Sequence, residues 1–162
     1  MSGNEVSFKI EVLILKDVQP LFGGNNFYLY CDGIVFVESV NMREEIKCKR
    51  YKLKLSNEQL KILAELISKH NFFTITIPER PGKPDEARPA ITVKLLSGEE
   101  KEVMKWANDT HEDFDAIYNW LLDVIKIIKE NLVPFHLGVY EHDWTPECDD
   151  LGLIKTMDYS KI

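Results

Sequence analysis

Alternation of apolar and polar residues is the feature that most limits what this chain can fold into. Every second residue from Val6 to Ile14 is apolar, and Ser7, Lys9 and Glu11 lie between them. A period of two is typical of a β-strand with one face on a hydrophobic core. We therefore predict a first strand here, with its even positions turned toward the core.

Two hairpins are predicted from turn residues between β-rich runs. Asp32-Gly33 separates the runs 27–31 and 34–37, and Ser97-Gly98 divides a second such pair within 90–106. An Asp-Gly pair in this setting is a strong hairpin signal, because the favoured turn needs positive φ at both central residues. A further short strand is expected at 74–77.

The strand predicted at 45–55 has a basic face. Arg50, Lys52 and Lys54 alternate with apolar residues, which is typical of a strand whose polar face is solvated or protects a sheet edge. The formal net charge of the chain is -7, whereas nucleic-acid binding depends on clustered positive charge. We expect no nucleic-acid partner.

Two helices follow from capping residues and apolar stripes. Ser56 and Gln59 have the spacing of a capping box, which predicts a helix over 57–69. A longer stripe predicts a helix over 112–132, which Pro134 ends. The core residues expected on these helices are Leu63, Ile67, Phe114, Ile117, Leu121 and Ile125.

This order of elements predicts an α+β domain with a mainly antiparallel sheet, on the order of five to seven strands, and two helices packed on one face. An irregular C-terminal extension completes the fold. The length of 162 residues suits one domain. We assign the α+β domain to residues 1–134 and the extension to 135–162.

The extension is too apolar for an exposed tail, since it contains Tyr140, Trp144 and Ile154. It is expected to pack on its own domain or on a second subunit, which makes the protein a monomer or a homodimer. We favour its own domain, because helices on one face only would leave strand residues such as Phe27 and Val35 uncovered.

A proline-rich segment is the candidate binding surface. Prolines at 78, 81, 84 and 89 exclude a helix or a central strand there, so we predict a stiff, exposed loop. Stiff loops lose little entropy when they dock. The candidate partner-binding residues are Glu79, Arg80, Lys83, Asp85, Glu86 and Arg88. A long solvated connection between two strands explains the loop equally well. Because the sequence shows no catalytic cluster, we predict a non-catalytic protein-binding or inhibitory domain, with another protein as its partner.

An enzyme is the alternative. His136, His142 and Cys148 lie among carboxylates in the extension and could serve a metal-dependent hydrolase or another small enzyme. Their spacing matches no zinc pattern, and no nucleophile is paired with a base and an orienting group. We therefore assign no catalytic residue, and we expect no metal and no cofactor.

The three cysteines, Cys31, Cys48 and Cys148, are odd in number and widely separated. This pattern suits reduced thiols better than a disulfide framework. The N-terminal residues show no secretory signal, and no apolar stretch is long enough to span a bilayer. These observations predict a cytoplasmic protein without a membrane partner.

The central part of the chain resembles a known group of proteins. The residues that support this resemblance are Leu55–Leu60, Asn71–Phe73, Pro81–Asp85, Ile91–Val93 and the closing amphipathic helix. Over 49–129 the chain resembles small bacterial α+β domains of unknown function, including the emfourin-type inhibitors of thermolysin-like metalloproteases. The resemblance implies a non-catalytic binding domain and assigns a role to no single residue.

Overall fold

The strong alternation of the chain produces a sheet. The computed structural model describes residues 9–148, in which seven strands and two α-helices occur. The elements are β1 (Ile10–Gln19), β2 (Gly23–Tyr30), β3 (Ile34–Asn41), β4 (Cys48–Lys54), α1 (Asn57–Lys69), a 3-10 turn (Phe72–Thr74), β5 (Ala90–Leu95), β6 (Glu100–Met104), α2 (Glu112–Asn131) and β7 (His136–Gly138).

All strands belong to one antiparallel sheet with the order β6-β5-β1-β2-β3-β4-β7. Both helices pack on the same face, where Leu63 of α1 and Leu121 of α2 join Phe27 and Val35 of the sheet in one core. The six core residues expected on the helices are all buried. The predicted fold class is confirmed. No helix among residues 9–148 is long and apolar enough to cross a membrane.

An irregularity in β1 changes which residues face the helices. Ile10 packs against the helix-side core, and the register with β5 shifts between Ile10 and Val12. Beyond that shift, Leu13 and Leu15 are fully buried on the helix side, whereas Ile14 packs on the opposite face. An extra residue in one strand reverses the alternation after it. The prediction that even positions face the core is therefore wrong beyond the bulge.

Of two other local predictions, the capping box of α1 and a strand at 74–77, the first is right and the second is wrong. The capping box is confirmed, since Ser56 Oγ accepts from Gln59 N at 3.2 Å and Gln59 Oε1 accepts from Ser56 N at 3.1 Å. The strand expected at 74–77 is wrong. There the Lys101 ammonium donates to the carbonyl of Ile75 at 2.6 Å, so a side chain takes the acceptor that a neighbouring strand would use.

The second face of the sheet is covered by residues 135–148, which we call the strap; the rest of the predicted extension, including Ile154, lies outside the described residues. Phe135 N donates to Arg50 O at 2.8 Å, and β7 then pairs with β4 at the sheet edge. Further along, the Trp144 ring lies 5.7 Å from that of Tyr28 and 6.4 Å from that of Phe36. The strap covers these rings and not Phe27 and Val35, which already lie beneath the helices.

The far end of the strap is joined covalently to the sheet. Cys148 forms a disulfide with Cys31 in the β2–β3 turn, with Cα atoms 5.5 Å apart and a sequence separation of 117. The expectation of reduced thiols is wrong for this pair, whereas Cys48 is a buried free thiol. Disulfides are rare in cytosolic proteins. The cytoplasmic assignment thus loses the support it drew from cysteine usage.

Candidate functional site

Residues 78–89, which we call the proline loop, rest on the indole ring of Trp106. The indole Nε1 donates to Arg80 O at 3.1 Å. A Cβ placed on Gly82 would overlap the ring, so the backbone of the loop lies directly against it. The guanidinium groups of Arg80 and Arg88 lie 5.6 and 4.8 Å from the ring centroid. Such cation–π contacts hold charged side chains on a fixed aromatic surface.

Arg80 is the centre of the hydrogen bonds within the loop. Its Nε donates to both carboxylate oxygens of Asp109, at 3.1 and 3.0 Å. Its Nη1 and Nη2 donate to the two oxygens of Glu86, at 3.1 and 2.6 Å, and Nη1 also reaches Pro81 O at 2.8 Å. The planar guanidinium suits such bidentate pairing. These bonds raise the pKa of Arg80 and fix one end of the loop to the chain before α2.

Glu86 closes the loop from the other side. Its carboxylate accepts from the backbone amides of Lys83 at 3.1 Å and Asn108 at 3.0 Å, in addition to Arg80. The hydrogen bonds from Arg80 are the main cause that lowers the pKa of Glu86 to about 2. The side chain is almost fully covered, with 1% relative exposure. Glu86 thus braces the loop and offers little surface to a partner.

The apex of the loop is a tight turn. Glu86 N donates to Lys83 O at 3.1 Å, Pro84 follows Lys83, and Asp85 has a φ of 61°. Proline followed by a residue with positive φ is typical of a type II turn. Gln19 Nε2 donates to Asp85 O at 2.6 Å, which ties the apex to the end of β1. Lys83, Pro84 and Asp85 are exposed.

The candidate residues therefore divide into a bracing set and an exposed set. Arg80 and Glu86 hold the loop, while Lys83 and Asp85 project from its apex. Glu79 is 85% exposed and accepts from Arg88 Nη2 at 3.2 Å, so that pair lies at the rim. The support from Trp106 and Asp109 was missed, because neither residue is near the loop in sequence.

A small cavity of about 430 Å³ lies between the proline loop, β1 and the strap. Its lining includes Lys16, Asp17, Glu86, Arg88 and His142. Burial lowers the pKa of Lys16 and raises that of Asp17, so it disfavours the charged form of each group. The cavity brings the loop next to the strap.

A larger groove of about 1010 Å³ opens between the start of β1 and α1. Ile10, Leu29 and Leu60 contribute apolar lining, and both disulfide-bonded cysteines lie at this groove. Lys9 and Cys148 also line it.

Beneath the strap lies a buried charge cluster that sequence reasoning missed. Glu38 is 1% exposed and pairs with Arg50, which is 4% exposed, at 3.1 Å. Glu38 also accepts from Asn26 Nδ2 at 3.1 Å and from Tyr28 OH at 3.0 Å. Burial and the nearby charge of Glu38 raise the pKa of Cys48 to about 11. The basic face of β4 is therefore covered at Arg50, whereas a solvated or edge position was expected.

The histidines and the cysteine of the enzyme alternative lie along the strap. His136 is in β7, and His142 Nδ1 lies 3.2 Å from Asp143 Oδ1 on the exposed surface. The thiol of Cys148 is consumed in the disulfide. Among residues 9–148, no group of three or more His, Cys, Asp or Glu side chains could hold a metal ion.

The fold and the loop together define an antiparallel α+β domain with a braced, exposed loop. No family model matches the chain, no curated protein matches it, and no solved structure matches it. The resemblance to emfourin-type inhibitors thus stays a prediction.

Proposed function

We propose that the protein is a non-catalytic binding domain that docks on another protein through the apex of its proline loop. The observation that carries the proposal is the fixed conformation of this loop in the absence of regular secondary structure. Arg80, Glu86 and Trp106 hold the backbone, and the apex side chains Lys83 and Asp85 remain exposed. A loop that is held in one conformation gives up little entropy on association.

An inhibitory role for the same loop is the more specific form of this proposal. Protein inhibitors of proteases bind through preorganised surfaces that change little on docking. The loop has prolines at 78, 81, 84 and 89, which remove backbone amide donors and stiffen the chain. The resemblance to emfourin-type domains indicates a thermolysin-like metalloprotease as the first partner to try.

Thermolysin inhibition and direct binding by surface plasmon resonance test this specific form. We expect the double variant Lys83→Ala/Asp85→Asn to lose at least about tenfold in affinity, which is the loss typical of interface hot spots. Asparagine is chosen because it tolerates the positive φ of position 85. The control is Lys61→Ala/Glu65→Ala on the exposed side of α1, which keeps the same charge balance. Equal affinity of the two double variants would contradict a role for the apex.

A second variant tests preorganisation separately from contact. Gly82→Ala forces the loop away from Trp106 without altering any exposed side chain. We expect weaker binding with an unchanged circular dichroism spectrum. The displaced loop must lose conformational entropy when it docks, although its exposed side chains are the same as in the wild type. Full affinity in this variant would show that bracing is irrelevant.

If thermolysin is neither bound nor inhibited, the inhibitory form fails. The broader proposal is then tested by quantitative cross-linking in cells that express the protein. A partner must cross-link to the wild type and to the α1 control but not to the apex variant. A set of partners identical for all three proteins would refute docking through the loop.

A further inference from the structure

The strap is held at its two ends. At its start, β7 pairs with β4 through His136, Leu137 and Gly138. At its end, the disulfide joins Cys148 to Cys31 on the far side of the sheet face. Among the described residues 139–148 there is one backbone–backbone hydrogen bond, from Trp144 N to Glu141 O at 3.1 Å. The middle of the strap has little secondary structure of its own to hold it.

Side-chain contacts of the strap are made to groups that would otherwise meet water. The Trp144 ring lies over the Arg50 guanidinium at 4.1 Å and against Tyr28 and Phe36. Near the disulfide, Tyr30 OH donates to Pro146 O at 3.4 Å, a long hydrogen bond. The disulfide is thus the strongest link that keeps residues 139–148 over the buried charge cluster.

The disulfide is open to attack. Cys148 is exposed and Cys31 is partly exposed. Thiol–disulfide exchange requires that a thiolate reach one of the sulfur atoms, and accessible disulfides are the labile and regulatory ones. The third cysteine, Cys48, is buried and its raised pKa keeps it a thiol, so it does not compete as the attacking group.

We propose that the Cys31–Cys148 disulfide is a redox-sensitive latch, and that its reduction releases the strap from the second face of the sheet. A dithiol reductant supplies the electrons. Its thiolate attacks Cys148 Sγ, a mixed disulfide forms, and Cys31 leaves as a thiolate that takes up a proton. The second thiol of the reductant then displaces Cys148 as a thiol and closes a cyclic disulfide. The protein gains two thiols and the reductant becomes oxidised.

Release follows because the disulfide fixes the second end of a segment whose first end is held by β7. While the disulfide exists, residues 139–148 form a closed loop that gains little conformational entropy by leaving the sheet. Once it is cut, the segment after Gly138 is retained by noncovalent contacts alone. Trp144 can then leave Arg50, and water can reach the Glu38–Arg50 pair. The inference is independent of the proposed role of the proline loop.

Alkylation of Cys48, followed by peptide mass spectrometry, tests the latch on the full-length protein, because this thiol is fully buried beneath the strap, 3.7 Å from Glu38 Oε2. We expect N-ethylmaleimide to modify Cys48 at least about tenfold faster after the protein has been reduced with dithiothreitol and the reductant removed. The circular dichroism spectrum should stay that of the folded protein. An unchanged alkylation rate would overturn the proposal, and so would loss of the folded spectrum, because the disulfide would then support the whole fold and not the strap.

Two single-cysteine variants separate the latch from other effects of the reductant. Cys148→Ser and Cys31→Ser each remove the disulfide, so both should show the fast alkylation of Cys48 without reductant and should not respond to it. Alkylation of Cys48 in either variant as slow as in the oxidised wild type, or a further increase when reductant is added, would refute the assignment.

Discussion

Glu38→Ala is the substitution that most directly tests the buried charge cluster. In the wild type the carboxylate accepts from Arg50 Nε at 3.1 Å, Asn26 Nδ2 at 3.1 Å and Tyr28 OH at 3.0 Å. The variant leaves these three donors without that acceptor beneath the strap. Arg50 Nη2 already has no hydrogen-bond partner, so the guanidinium would lose its close counter-charge.

Removing one partner of a buried ion pair costs about 3–5 kcal/mol, because the remaining charge is left desolvated and unpaired. A domain of this kind has about 5–15 kcal/mol of total stability. We therefore expect Glu38→Ala to remove between roughly a fifth and all of the free energy of unfolding. For a chain of this length, the melting temperature should fall by about 10 °C.

Urea unfolding followed by circular dichroism measures the loss, and a double variant that removes both charges isolates its cause. Glu38→Leu/Arg50→Met removes both charges, so it should cost much less than Glu38→Ala. The control Glu65→Ala removes an exposed glutamate from α1 and should stay within about 0.5 kcal/mol of the wild type. A loss below about 1 kcal/mol for Glu38→Ala would refute the view that the cluster is desolvated.

Three further outcomes are expected. Leu121→Ala should lower the unfolding free energy by about 2–5 kcal/mol in urea titrations, because Leu121 is fully buried between α2 and the sheet. Glu86 has a pKa lowered to about 2, so its contribution to the free energy of unfolding is present above the ordinary glutamate value of 4.5 and is lost as the pH falls toward 2. Because glutamine does not titrate, the urea midpoint of Glu86→Gln should fall less over that range than the midpoint of the wild type. Cys31→Ser should have a lower melting temperature than the oxidised wild type, since the disulfide closes a long loop. Calorimetry measures this difference, which should disappear when both proteins are scanned with reductant.

The elements that could be predicted from the sequence are those set by neighbouring residues. Ser56 and Gln59 are three positions apart and cap α1 as their spacing indicates. The buried stripe of α2 likewise follows from a local period. The face of β1 could not be predicted beyond Ile10, because a bulge leaves no mark in the alternation before it. Local spacing therefore predicts elements better than it predicts which side of a strand is covered.

The candidate site shows the same division. Prolines marked the loop at 78–89, but its bracing depends on Trp106 and Asp109, which reach it only through the fold. The charges of β4 were assigned to solvent because the strap that covers them lies far along the chain. The pairing of Cys31 with Cys148 spans 117 positions, and a spacing of that size carries no local information.

The three-residue strand β7 has a consequence for self-association. The sheet ends at β6 on one side, where Glu100, Lys101 and Glu102 place charges of both signs along the edge. Charged side chains and very short edge strands both hinder pairing with another molecule. On the other side β7 covers part of β4, a strand of seven residues. A protein that has lost β7 would offer the amides and carbonyls of β4 to a second chain, so β7 serves as a guard against edge-to-edge aggregation.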